Sequence, residues 1–172
     1  MAFRRTAIAL QCAERDAAMT SVTIRIQQAD FDVARESALL TQGHTDIGAV
    51  VSFSGICRGS EGGDPIAALT LEHYPEMVEA EIRRHAEEAV SRWALNGLTV
   101  IHRFGRIEPG QNIVLVVTAS HHRQAAFQAA EFLMDYLKTS APFWKRTESS
   151  KGTNWVEAHS HDDAAAARWA KT

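Results

Sequence analysis

The chain is predicted to fold as an α+β domain, with helices packed on mostly antiparallel strands. Three observations carry this. Apolar and polar residues alternate with the period of a half-buried strand at residues 22–27 and again at Leu69, Leu71 and His73. Helical spacing fills residues 75–93 and the stretch from Arg123 to Lys138. Glu108-Pro109-Gly110-Gln111, with Pro and Gly at the centre of a type II turn, joins two apolar runs.

Taken in order, residues 1–20 are expected to form a poorly ordered extension, with Met19 an alternative start. Val22, Ile24 and Ile26 then alternate with Thr23, Arg25 and Gln27 in a first strand. Asp30 or Asp32 can cap a short helix running toward Leu40, with Gly43 beyond its end. Residues 48–55 are small and apolar almost throughout, which predicts a strand covered on both faces. Residues 60–65, Ser-Glu-Gly-Gly-Asp-Pro, predict a flexible loop before the strand around Leu69.

Pro75 suits the first turn of the longest helix. Val78, Ile82, Ala89 and Trp93 share one face, the pairs Glu79–Arg83 and Glu88–Arg92 have i,i+4 spacing, and Asn96-Gly97 is the expected stop. Strands follow at residues 98–104 and 113–118. The next helix carries Phe127, Ala130, Met134 and Leu137 as its inner stripe. Pro142 ends that helix near Thr139, because proline cannot continue it and biases Ala141 toward an extended conformation. A last strand is expected at residues 154–157. Residues 21–159 make one domain, and 160–172 a variable tail.

Composition narrows the function. At 172 residues, 45% hydrophobic and 23% charged, the chain can bury a sizeable core as one globular domain. Its net charge of -3 argues against nucleic-acid binding. No apolar run reaches the length of a membrane span. Residues 3–10 resemble a twin-arginine signal only briefly, since Gln11, Glu14, Arg15 and Asp16 cut the apolar stretch short. Cys12 and Cys57 make neither a disulfide framework nor a metal cluster, which fits a reducing cytoplasm. The histidines show no ligand spacing, so neither a metal nor a cofactor is expected.

Against this acidic background residues 138–151 stand out. Lys138, Lys145, Arg146 and Lys151 oppose Glu148 alone. Lys138 falls on the last helical turn and Lys145 beyond the Ala141-Pro142-Phe143-Trp144 bend, so both ammonium groups can converge on one pocket. Such a pair binds an anion or supplies a proton donor of tunable pKa. Ser120-His121-His122-Arg123 marks a strand-to-helix junction. Free N–H groups, an imidazole and a guanidinium there can cradle a phosphate, or the segment can be a solvated polar turn. Arg58 stands in a glycine-bounded loop after the strand at 48–55. Its neighbour Cys57 reads as a small packing group in preference to a nucleophile.

Together these segments resemble the large, catalytic subunit of molybdopterin synthase. The likeness runs from Thr23 to Glu157. It rests on Leu71-Glu72-His73-Tyr74-Pro75, on His102-Arg103-Phe104-Gly105 with Pro109-Gly110, and on the long run from Phe132 through Met134, Lys138, Pro142 and Phe143 to Lys145. The resemblance implies an α/β hammerhead-type fold and a homodimer within a heterotetramer. Each large subunit would receive a small ubiquitin-like sulfur-carrier subunit whose C-terminal thiocarboxylate donates sulfur to cyclic pyranopterin monophosphate. By the same resemblance Lys138 and Lys145 are the catalytic residues, and Arg58, His122 and Arg123 bind the substrate. Phe53, Met134, Pro142, Phe143 and His159 would shape the pocket or the carrier groove.

The chain departs from the family pattern at three points. Thr147 stands where a Lys-x-Glu pattern is common, with Glu148 one place later. His159 replaces a frequent arginine, and Ser140 a frequent basic residue. The alternative reading is a non-catalytic, carrier-binding scaffold of the same fold. A nucleotide-sensing regulator is disfavoured by the lack of any nucleotide fingerprint.

Overall fold

The computed structural model describes residues 20–149, 152–156 and 168–171. Within them the elements run β1 (Ser21–Gln27), α1 (Val33–Thr41), β2 (Ala49–Ile56), β3 (Ser60–Glu61), β4 (Asp64–His73), α2 (Pro75–Arg92), β5 (Leu95–Arg103), β6 (Gly105–Ile107), β7 (Asn112–Ser120), α3 (Arg123–Thr139), β8 (Phe143–Ser149) and β9 (Gly152–Val156). A 3-10 turn occupies Arg168–Lys171. The α+β class holds: one sheet has the order β1-β5-β7-β2, and a second the order β3-β4-β8-β9 with β6 also on β4. Every strand pairing is antiparallel except β1 with β5.

Strand alternation sorts the core into layers. On one face of the first sheet Leu98, Val100 and Val116 pack against Val78, Ile82, Ala86 and Ala89 of α2 and Ala129, Phe132 and Leu133 of α3. On the opposite face Ile101, Leu115, Val117 and Ala119 pack against Leu40 of α1. A third cluster of Cys57, Leu69, Leu71 and Ile107 joins the two sheets. Asp32 caps α1 by accepting from Arg35 N–H at 3.0 Å, while Asp30 accepts from Phe31 N–H. The turn before β7 closes with Gln111 N–H donating to Glu108 O at 3.1 Å, Gly110 having φ 85°.

Several expectations are corrected. The strand at 48–55 is not covered on both faces. It is β2, at the sheet's edge, with Val50, Phe53 and Ile56 exposed. The doubly covered strands are β5 and β7, whose apolar residues reach both α1 and the α2–α3 layer. Asn96-Gly97 does not stop α2, which ends at Arg92 when Trp93 turns extended. Those two residues lie in β5, at a register shift, and a Cβ on Gly97 would meet Leu40 Cδ2 at 2.7 Å. Close packing, not a helix cap, demands that glycine.

On α3, Ala130, Met134 and Leu137 of the expected inner stripe do face the core, but Phe127 does not. Phe127 is exposed, and Ala126, Ala129, Ala130, Phe132 and Leu133 are buried. Small alanines let α3 approach the sheet closely enough for Thr118 Oγ1 to donate to Ala126 O at 2.8 Å. Residues 60–65 form a β-hairpin instead of a loose loop. Its two-residue Gly62-Gly63 turn has φ 59° and 88°, the left-handed conformation that hairpin turns require. β8, which follows the proline bend, and the short β6 escaped the sequence reading. The last strand comes two residues earlier than expected, at Gly152–Val156, and Glu157 lies outside the described residues.

At the chain's ends, Thr20 Oγ1 donates to Leu95 O at 2.9 Å, while the rest of the expected 1–20 extension lies outside the described residues. Within the expected tail, Arg168–Lys171 docks on the helices. Trp169 packs edge-on against Trp93 and Phe132, and its indole N–H donates to Asp135 Oδ2 at 2.7 Å. No helix among the described residues is long and apolar enough to cross a membrane.

Candidate functional site

A cavity of about 630 Å³ opens where the two sheets meet the C-terminal end of α3. β2 lends Phe53 and Ile56, α3 lends Met134 and Lys138, and β8 lends Phe143 and Lys145. Arg58 and Glu61 stand beside them from the loop after β2 and from β3.

The placement of Lys145 follows from the strand that carries it. Phe143, Lys145 and Thr147 alternate onto one face of β8, and all three line the cavity. Trp144, Arg146 and Glu148 fall on the other face. There Arg146 approaches Glu72 at 3.8 Å, and Glu148 takes Arg106 at 3.3 Å and the Thr70 hydroxyl at 3.5 Å. The proline bend thus turns a helix-borne lysine and a strand-borne lysine toward the same space.

Arg58, Phe53, Met134 and Phe143 line the cavity with the two lysines. Pro142 does not, although Ala141 and Phe143 on either side of it do; it shapes the bend. His122 and Arg123 stand elsewhere. His122 is the N-cap of α3, both residues are exposed, and neither lines the cavity. The helix between Arg123 and Lys138 spans about 22 Å at 1.5 Å per residue. His159 lies outside the described residues.

Of the lining residues not expected at the site, two carry ionisable side chains that bear on its chemistry, His102 and Glu61. His102, only 7% exposed, stacks on Phe143 with ring centroids 3.8 Å apart. Burial pushes its pKa down to about 4, so the ring is neutral near pH 7. Its Nδ1 lies 2.9 Å from Arg103 O, which makes Nδ1 the protonated nitrogen and leaves Nε2 as an acceptor. The segment His102-Arg103-Phe104-Gly105 was visible in the sequence, but nothing local tells a core histidine from a cavity wall. Glu61 was missed because its segment read as a flexible loop. Its Oε1 accepts from Lys145 Nζ at 2.9 Å and lies 3.7 Å from Arg58.

Comparison with known proteins places this cavity in context. The family model described as "MoaE protein" matches residues 26–140. The chain belongs to the MoaE protein family. A molybdopterin synthase catalytic subunit from Mesorhizobium japonicum is 64% identical over 155 residues, covering 88% of this chain and 96% of that protein. A molybdopterin biosynthesis MoaE protein from Burkholderia ambifaria superposes with a TM-score of 0.74 at 45% identity, over 88% of this chain and 99% of that one. A molybdopterin synthase structure from Staphylococcus aureus gives 0.70 at 25% identity, over 77% and 95%.

In this MoaE-family chain Cys57 is a packing group. It is 4% exposed, and its Sγ lies 3.8 Å from both Arg58 O and Ile107 O, where an S–H can donate. Burial pushes the thiol's pKa up, outweighing the nearby Lys145 charge. A raised pKa is the reverse of what a nucleophilic cysteine needs. Among the described residues no cluster of three His, Cys, Asp or Glu side chains is arranged to hold a metal ion.

Proposed function

We propose that this protein is the catalytic subunit of a molybdopterin synthase. It takes sulfur from the C-terminal thiocarboxylate of a small carrier subunit and delivers it to cyclic pyranopterin monophosphate, two transfers building the dithiolene. The observation that carries this reading is the convergence of Lys138, Lys145 and Arg58, from three separate elements, on one cavity in a net acidic chain. Both substrates are anions, and a concave cationic site concentrates them.

Phe53 and Ile56, exposed on edge strand β2, form an apolar side of the cavity suited to the carrier's extended tail. The carrier's sulfur bonds a side-chain carbon of the pterin as a C–O bond at that carbon breaks, its oxygen leaving with the phosphate or as water. Water then adds to the acyl carbon of the resulting thioester. Lys138 stabilises the negative charge that grows on the carbonyl oxygen before the acyl–sulfur bond breaks and leaves the sulfur on the pterin. Water supplies the oxygen that leaves the carrier as a carboxylate. Lys145 and Arg58 hold the pterin's anionic group and orient it. With the sulfur supplied by the partner, Cys57 has no chemical role. Cys57→Ala is expected to keep full turnover in a sulfur-transfer assay; a loss of turnover with the fold intact would make the thiol a participant.

His122 and Arg123 serve the site from a second copy of the chain. What supports this is their separation along α3 from Lys138 of their own chain and their absence from the cavity lining. The assembly is then a homodimer of large subunits, each with one carrier. A single-turnover assay tests the whole reading. The protein is mixed with a thiocarboxylated carrier subunit and cyclic pyranopterin monophosphate, and dithiolene product is expected. Tight carrier binding without product would favour the scaffold alternative.

A further inference from the structure

Among the described residues lining the cavity, three are cations (Arg58, Lys138, Lys145) and Glu61 is the single carboxylate. Its position is specific. One oxygen, Oε1, is shared between Lys145 Nζ at 2.9 Å and an Arg58 guanidinium nitrogen at 3.7 Å. Glu148 and Glu72 cannot take its place, because both face the opposite side of the second sheet in pairs with Arg106 and Arg146. Glu61 therefore sits against two of the cations that an anionic ligand would need.

We propose that Glu61 is a specificity-determining residue: an internal carboxylate seated on the Lys145–Arg58 pair, which the anionic group of the substrate must displace. The proposal rests on the synthase reading of this cavity. Small singly charged anions compete poorly with a tethered carboxylate, which is already in place at high effective concentration. A ligand anchored at further points, by its ring system and by Lys138, can displace it. The mount suits displacement. β3 is held by two residue pairs, Ser60 with Pro65 and Glu61 with Asp64, around the Gly62-Gly63 turn. So short a hairpin has little stability of its own. With Glu61 withdrawn, the lining carries three positive charges and no negative one.

The test compares wild type, Glu61→Gln and Glu61→Asp, each confirmed as folded by thermal unfolding. Inorganic phosphate is titrated into each protein at low salt. Glu61→Gln keeps the side chain's size but removes its charge, and should bind phosphate roughly three- to tenfold more tightly. Glu61→Asp retains the charge and should stay near wild type. In the sulfur-transfer assay, Glu61→Gln should lower KM for the pterin without raising kcat. Equal or weaker phosphate binding by Glu61→Gln would overturn the proposal, as would an equal gain in Glu61→Asp, which would show that shape and not charge matters. If wild type gives no product, the synthase reading fails on its own, and the phosphate titration still decides the role of Glu61.

Discussion

Lys138→Ala is expected to lower single-turnover dithiolene formation by about 10²–10³-fold, the usual loss when one charge-stabilising donor is removed from a reaction centre. The fold should survive. Lys138 lies on the last turn of α3, exposed at the cavity, where a cation's interaction with the helix dipole contributes only about 0.3–1 kcal/mol. Matching urea midpoints for variant and wild type would separate chemistry from stability. A normal rate in Lys138→Ala would take this lysine out of the reaction, and a collapsed midpoint would make it structural. Carrier affinity should change much less than rate, because the exposed apolar groups on β2 remain in place.

Phe132→Ala is expected to cost about 3–5 kcal/mol, the largest stability loss from a single truncation in this fold. Phe132 is fully buried between α3, α2 and the first sheet. Its ring meets Trp93 at 5.2 Å and Trp169 at 5.6 Å edge-on, and Tyr136 at 4.8 Å, with the Arg92 guanidinium 5.1 Å from its centroid. Removing it leaves a hole that four neighbours cannot all collapse into. It also undercuts the seat of Trp169, so Arg168–Lys171 should lose protection from amide exchange. Urea unfolding measures the first effect and hydrogen exchange the second. A cost below about 1 kcal/mol would mean that the aromatic cluster repacks freely.

How much was legible in advance depended on the range of the interaction. Pro75 at the first turn of α2, an aspartate cap for α1 at Asp30 or Asp32, and the Pro109-Gly110 turn are legible in advance, because each acts through a few neighbouring bonds; the fold selects Asp32. Lys138, Lys145, Arg58, Phe53, Met134 and Phe143 were singled out on motif and resemblance, and the fold gathers all six around one cavity. The environment of the strand at 48–55 is not legible, because apolar residues on an exposed edge and in a covered centre look alike along the chain. Helical spacing puts Phe127 on the inner face of α3 with Ala130, Met134 and Leu137, which do reach the core; at the first turn the small Ala126 takes the buried position, and size alone does not reveal that.

Local chemistry, then, was determined by the sequence alone: where helices begin, where Pro142 breaks one, and which basic residues crowd into an acidic chain. Tertiary structure decided which of those groups meet. Alternation along β8 sends Lys145 inward and Glu148 outward, and the β3 hairpin brings Glu61 to within 2.9 Å of a lysine 84 residues away. The length of α3 keeps His122 and Arg123 away from Lys138 of their own chain. The physical reason is that charge, burial and proximity in a folded site are set by contacts between distant segments, and no local preference encodes them.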